Sequence, residues 1–202
     1  MNYLFIALMW TGYCALHSYL ISIRFTKLMM HSLKDYYAFY RLFYVLISIV
    51  LLFPVFHFTD QLNSEVIINY DPPWSIIRYV LLISSLLIFF KAFIFDYDSL
   101  SFFGLRQIMN FRKKKTTNPE AGIKRSGLLG IVRHPMYFAV ILLLWCQTFR
   151  LTDIVANIVL TAYIVIGTKL EERKLVLEYG DSYIQYQKDV PMLIPFAKLK
   201  SR

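Results

Sequence analysis

The residues best suited to chemistry fall in two short runs. Arg133, His134, Pro135, Met136 and Tyr137 stand where a polar segment enters an apolar one, and Glu171 and Glu172 stand where a later apolar segment ends. An arginine and a histidine at a membrane boundary need partners or a polar cavity. Proline suits the first turn of a helix, where its missing N–H costs nothing, so Pro135 predicts a helix start. Arg133 and His134 would then project beside the unpaired N–H groups of a helix N-terminus, which favour an anionic group such as a carboxylate. The alternative is an interfacial anchor, with Arg133 on phosphate and His134 and Tyr137 on headgroups. Two adjacent carboxylates at a helix C-terminus oppose the helix dipole. Glu171 and Glu172 therefore need either basic neighbours such as Arg173 and Lys174, or the cation or hydroxyls of a ligand. His17, inside the first apolar run, is a further candidate. An ionisable group within a span is a functional hypothesis by default, set against a neutral imidazole bonded to a neighbouring helix.

Five apolar segments must position these groups: residues 3–21, 40–58, 74–95, 135–149 and 152–168. The first three match the roughly 20 residues needed to cross a bilayer. The last two are shorter and separated only by Arg150 and Leu151, which predicts a tight antiparallel helical hairpin. That hairpin brings the start of the fourth segment to the end of the fifth. His134 and Tyr137 then share a membrane face with Glu171 and Glu172, and converging basic and acidic groups suit a zwitterionic ligand. Residues 96–124 are polar, with an apolar patch at 101–111, a basic run at 112–115 and a stretch from Thr116 to Pro119. This reads as a surface-lying helix ending in a mobile loop. Residues 171–179 continue helically from the last span; past Gly180, Tyr183 and Tyr186 recur at helical spacing before Pro191 and Pro195 end the helix. The expected architecture is all-α: one membrane domain over residues 1–202, an integral bundle of about five transmembrane helices. Three spans lie in residues 1–95; loop, hairpin and a cytoplasmic C-terminal segment lie in 96–202.

Composition agrees with a membrane protein. The chain is 57% hydrophobic and 17% charged, against roughly 45–50% and 25% in soluble domains. The net charge of +9 comes from basic residues that flank apolar runs, which points to orientation signals and anionic lipid rather than to nucleic acid. Arg24, Lys27, Lys34 and Arg41 mark the first connection; the second, residues 57–75, has Asp60, Glu65 and Asp71 but no lysine or arginine; the third connection and the tail are strongly basic. Basic connections stay in the cytoplasm, so the N-terminus is expected outside and the C-terminus inside. The apolar start lacks a basic n-region and a small-residue cleavage pattern, and is read as a retained helix. Cys14 and Cys146 lie inside apolar runs, with no disulfide framework and no metal-ligand spacing.

In order along the chain, Arg133-His134-Pro135-x-Tyr137, the short hairpin, Glu171-Glu172, Gly180-x-x-Tyr183-x-x-Tyr186 and Val190-Pro191-x-x-x-Pro195 resemble the isoprenylcysteine carboxyl methyltransferase superfamily, which includes phospholipid N-methyltransferases. Phe103-Gly104-Leu105-Arg106-Gln107, Thr161-Ala162-Tyr163-Ile164, Leu170-Glu171-Glu172-Arg173 and Val190-Pro191-Met192-Leu193-Ile194-Pro195 are similar to its bacterial methanethiol S-methyltransferase branch. The resemblance covers about residues 95–196 and fits the N-terminal part more loosely. It departs from the branch at Ala139, where glycine is common, and at Leu128 after Gly127, where tyrosine is common.

This resemblance implies an S-adenosylmethionine site at the cytoplasmic membrane face. It implies that Arg133, His134, Tyr137, Leu128, Glu171, Glu172 and Tyr183 contact the cofactor, that His134, Tyr137 and Glu172 are catalytic, and that His17, Arg106 and Gln107 meet the substrate. His134 is a candidate base for a thiol and equally a candidate ligand of the cofactor carboxylate. The expected activity is S-methylation of a small, lipid-soluble thiol such as methanethiol to a thioether, in a prokaryotic inner membrane. Two alternatives accompany it: a methyltransferase for prenylcysteine carboxylates or phospholipid amines, and a non-enzymatic membrane protein on the same scaffold. Prenylcysteine enzymes tend to carry an arginine about one turn before the acidic pair, where this chain has Gly167 and Thr168. The charge pattern makes a direct prediction. With Cys14 and Cys146 replaced, a cysteine at Ser64 reacts with an impermeant maleimide in intact cells, whereas one at Ser126 reacts only after permeabilisation; the opposite labelling defeats the orientation.

Overall fold

The computed structural model describes residues 2–62, 64–113 and 123–197; the loop expected over Thr116 to Pro119 lies outside the described residues. The described chain is almost wholly helical, with helices α1 (Asn2–Leu20), α2 (Ile23–Leu33), α3 (Tyr40–Gln61), α4 (Trp74–Lys91), α5 (Ser99–Phe102), α6 (Leu105–Lys113), α7 (Pro135–Trp145), α8 (Leu151–Tyr179) and α9 (Asp181–Asp189). Two short strands, β1 (Val66–Ile68) and β2 (Phe149–Arg150), pair with each other. Among the described residues, three helical stretches are long and apolar enough to cross a membrane: Ile23–Gln61, Trp74–Asp96 and Leu151–Tyr179. Pro135–Trp145 is apolar but shorter, and the first expected span is a helix of 19 residues.

The chain divides into two compact units that interleave along the sequence. The first comprises Met1–Ile67, Asp98–Pro119 and Phe149–Leu160; the second comprises Ile68–Tyr97, Glu120–Thr148 and Thr161–Arg202. In the first unit, Ile6, Trp10, Val55 and Ala156 form a buried cluster joined by Met9, Tyr13, Leu52 and Val159. Trp10 is large enough to need a polar partner when buried, and its Nε1 donates to Thr59 Oγ1 at 3.1 Å. Arg41 Nε donates to the carbonyl of Phe102 at 3.0 Å, which ties α3 to the turn after α5.

In the second unit α4 and α7 are the principal packing partners. The sequence expectation joins the fourth and fifth segments as a tight hairpin, and the connection between them differs from it. The segment boundaries explain part of the difference. α7 stops at Trp145, and residues 146–150 form the connection, including β2, so the link to α8 is longer than the two residues expected. Trp145 Nε1 still donates to Thr161 Oγ1 at 2.9 Å. α4 runs into a π-helical turn, Ala92–Asp96, with Ala92 fully buried. As expected, α8 continues past the acidic pair to Tyr179. Glu171 and Glu172 thus lie about two turns inside the helix, away from its last carbonyls, and the dipole conflict inferred from the sequence does not arise.

Two glycines show what the turns require. Gly180 joins α8 to α9 at φ +58°, ψ −136°, a conformation that residues with a Cβ rarely adopt. Gly127 has φ +67°, and a Cβ there would lie 2.7 Å from Asp96 Oδ1, whereas a Cβ at Gly180 would meet nothing within 4 Å. Alanine at either site incurs a backbone cost of about 1–2 kcal/mol, but only at Gly127 does a collision add to it. Gly127→Ala is therefore expected to lower the unfolding midpoint in detergent clearly more than Gly180→Ala; equal losses would contradict the close approach to Asp96.

Candidate active site

The second unit gathers most of the chemistry-bearing residues at the start of α7. Pro135 occupies the first turn of that helix and His134 the position before it. The preceding backbone is held from the far end of the chain: Arg133 N donates to Pro191 O at 2.9 Å and His134 N to Met192 O at 3.2 Å. Residues 133–134 and 191–192 therefore lie side by side. The prolines of the Val190-Pro191 segment suit this role, since proline cannot continue α9 and favours extended backbone before it.

Glu172 is the centre of the cluster. Its Oε1 accepts from Arg133 Nε at 2.6 Å and from His134 Nε2 at 3.2 Å, and its Oε2 accepts from Gln187 Nε2 at 3.1 Å. The Arg133 guanidinium also donates to the carbonyls of Gln187, at 3.0 Å, and of Val190. Arg133, His134 and Glu172 are all buried, 7%, 3% and 8% exposed. Charges so enclosed are tolerable only when paired and hydrogen-bonded, and both oxygens of Glu172 are engaged. Because a carboxylate only accepts, the proton on His134 sits at Nε2, and in the neutral ring Nδ1 is left as an acceptor. Nδ1 lies 3.9 Å from Glu171 Oε2, on a side chain that is 41% exposed. The Tyr137 ring stacks on His134 with centroids 5.5 Å apart and planes 13° from parallel, and its hydroxyl faces the Glu171 carboxylate.

Aromatic residues close the cluster from α9. Tyr183 and Tyr186 are each 3% exposed and pack with Val190, Ile123, Leu175 and Val176. The Tyr186 hydroxyl donates to Leu129 O. Burial pushes the Tyr186 phenol up to about 12, with Arg133 and Arg125 pulling the other way. Burial, and then the Glu172 carboxylate, also raise Tyr183. Both are neutral donors at physiological pH. Arg125 donates to Ser182 O at 2.7 Å, lies 3.4 Å from Asp189 Oδ2 and sits over the Tyr186 ring, which fastens the segment after residue 123 to α9.

Of the residues named from the sequence, Arg133, His134, Tyr137, Glu171 and Glu172 are thus brought together. Tyr183 packs beside them, and Leu128 is half-buried in the 3-10 turn Gly127–Gly130 of the same unit. Ala139, where the resembled branch often has glycine, is 1% exposed. His17, Arg106 and Gln107 belong to the first unit. There His17 Nε2 lies 2.6 Å from Tyr44 Oη, Arg106 pairs with Asp98 at 2.9 Å, and Gln107 Nε2 reaches Ser101 O at 3.5 Å. Sequence reasoning missed Gln187, which fills the second oxygen of Glu172, although it falls four residues after Tyr183 and so on the same helical face. It also passed over Asp96, a carboxylate at the very end of an apolar run.

No protein-family model matches the chain, and no solved structure matches it. Curated relatives do. A methanethiol S-methyltransferase of Crocosphaera subtropica is 37% identical over 100 residues, which are 49% of this chain and 39% of that protein. Methanethiol S-methyltransferase 1 of Bradyrhizobium diazoefficiens is 36% identical over 113 residues, 55% of this chain and 39% of its own length. A methanethiol S-methyltransferase of Pseudomonas deceptionensis is 39% identical over 95 residues, 46% and 36% respectively. The similarity thus spans about half of this chain and under half the length of each of these relatives.

The ion cluster predicts strong coupling. Arg133→Ala or Glu172→Ala strands a buried charge, which costs about 3–5 kcal/mol. The double variant Arg133→Met/Glu172→Leu removes both charges at once and is expected to unfold in detergent at a higher temperature than either alanine variant. A double variant as unstable as the sum of the singles would rule out the pairing as described.

Proposed function

We propose that this chain is an integral membrane methyltransferase that uses S-adenosylmethionine and methylates a small thiol of the methanethiol class. The observation that carries the reading is a buried His134 whose Nε2 is held by Glu172 while Nδ1 faces Glu171 at 3.9 Å. Its support from outside the chain is the name shared by the relatives, at 37%, 36% and 39% identity. The membrane arrangement proposed with it has five spans, the N-terminus outside and the site on the cytoplasmic side of a prokaryotic inner membrane.

The residues present fit such a cofactor. Glu171, a carboxylate on a side chain that is 41% exposed, can accept the ammonium group. The first-turn N–H groups of α7 have no acceptor within the helix and favour a carboxylate close by. Arg133 is unsuited to that carboxylate, because Glu172 and two backbone carbonyls already occupy its guanidinium. The zwitterionic end of the cofactor is thus assigned to Glu171 and the start of α7, His134 Nδ1 is left to the methyl acceptor, and Glu172 becomes a positioning residue rather than a direct ligand.

A bound sulfonium cofactor supplies a methyl carbon open to attack by sulfur, with one carbon–sulfur bond forming as another breaks. Opposite charges are consumed when that sulfur is a thiolate, so a site shielded from water lowers the barrier. The chain's part is to hold the acceptor in line and to take its proton. His134 is oriented to receive that proton, because Glu172 fixes the existing one on Nε2 and leaves Nδ1 open. The Glu172 carboxylate then stabilises the imidazolium that forms. Tyr137, stacked on the ring, prevents it from turning.

The test is incubation of purified protein with methyl-labelled cofactor and a panel of thiols, amines and carboxylates, followed by headspace analysis for labelled thioether. Wild type is expected to label methanethiol preferentially. His134→Ala is expected to lose activity by about 10²- to 10⁴-fold, the range for removal of a general base, while still inserting in the membrane. Methylation of a lipid amine in preference to every thiol, or full activity of purified His134→Ala, would refute the assignment.

A further inference from the structure

Arg78 is a half-buried cation inside the apolar stretch Trp74–Asp96, which is long enough to cross a membrane. An arginine in such a stretch needs an anion or a polar surface within reach. Among the described residues no carboxylate pairs with it and no carbonyl accepts from it. Its Nε is enclosed without a hydrogen-bond partner, whereas its two terminal nitrogens reach the surface of the protein and are open to a ligand. Tyr79 supports the group from one side, with Arg78 Cζ 4.9 Å from the centre of the ring. That cation–π contact consumes none of the N–H donors. A guanidinium keeps its charge at any physiological pH and cannot escape the need for an anion by losing a proton.

The depth of Arg78 restricts what that anion is. The residue stands about 6 Å along the axis from Trp74, the first residue of α4. Side chains four apart adjoin on a helix surface, so the indole of Trp74 lies beside the guanidinium. That indole is exposed, and its N–H has no acceptor among the described residues. Tryptophan and tyrosine settle at headgroup level, and Trp74 and the exposed Tyr79 bracket Arg78 there, while Val80 and Ile83 beyond are exposed and apolar, as acyl chains require. An ester carbonyl at this depth accepts a hydrogen bond but brings no charge. The phosphodiester of a phospholipid brings both, and two guanidinium N–H groups match two of its oxygens. We infer that Arg78, with Trp74 beside it, forms a phospholipid-binding site that clamps the phosphodiester of one lipid at the membrane face where α4 begins. The site is independent of the activity proposed above.

The experiment uses the whole chain, stripped of lipid in a maltoside detergent, which has no phosphate. Bound lipid is counted by native mass spectrometry and the unfolding midpoint is followed alongside. The probes are phosphatidylcholine, whose lack of net charge keeps it from the basic connections, diacylglycerol with the same acyl chains, oleate and inorganic phosphate. Without lipid, wild type and Arg78→Gln are expected to unfold at the same temperature, because no protein acceptor is lost. Arg78→Gln is expected to bind the first phosphatidylcholine about 10-fold more weakly than wild type, the scale of a hydrogen bond to a charged group, and to bind diacylglycerol as wild type does. Arg78→Lys, which keeps a charge but not the fork, is expected to fall between the two. Equal phosphatidylcholine binding by wild type and Arg78→Gln overturns the inference. So does wild type binding diacylglycerol or oleate as tightly as phosphatidylcholine, or gaining as much stability from inorganic phosphate. An Arg78→Gln variant that unfolds early or fails to fold without lipid also overturns it, since the guanidinium is then held by the protein itself.

Discussion

Everything in the second unit turns on one carboxylate removed from water. Glu172 is enclosed with an arginine, a histidine and a glutamine, each donating to it. Taking such a charge out of solvent costs several kcal/mol, and the fold offsets this by supplying donors to both oxygens. The requirement is strict because the groups come from three distant stretches of chain: the approach to α7, the interior of α8 and the helix α9. Satisfying Glu172 fixes their mutual placement, and with it the tautomer of His134. Nδ1 is left on the side of Glu171 because the other nitrogen is already committed.

The two acidic neighbours therefore divide their work. Glu172 is turned inward and saturated; Glu171, one residue earlier and about 100° around the helix, is partly exposed beside Nδ1. Adjacent residues on a helix point in different directions, so a Glu-Glu pair yields one structural and one ligand-facing group. A charge held by dense bonding can orient another residue without itself touching substrate. That division also accounts for the arginine: its guanidinium is spent on protein acceptors and is not available to an anion.

How much of this is legible in the sequence depends on the distance over which each contact acts. Pro135 as a helix start, the helical spacing of Tyr183 and Tyr186, and the end of α9 before Pro191 are local matters of backbone chemistry, and the structure has each of them. The meeting of His134 with the acidic pair also follows from the sequence, although by way of a tight hairpin, whereas α7 packs chiefly on α4. What cannot be read is non-local. Nothing in residues 190–192 announces that their carbonyls receive the backbone of 133–134 and the guanidinium of Arg133. The continuation of α8 past the acidic pair to Tyr179 is local too, because good helix formers follow Glu172. Gln187 and Asp96 escape notice because a single polar residue has no pattern until its neighbours in space are known.

The backbone contact of residues 133–134 with 191–192 has a bearing on how the protein is made. A nascent chain emerges from its N-terminus, so the arginine and histidine appear well before the stretch that receives their N–H groups. Until residue 192 is clear of the ribosome, the buried cation has neither its carbonyl acceptors nor the glutamine that completes its partner, and that part of the chain has to wait in water or at the headgroup surface. Assembly of this corner is thus late in timing even when the apolar helices have been inserted one by one, and the stretch after α9 serves as the clasp that commits the unit to its final form.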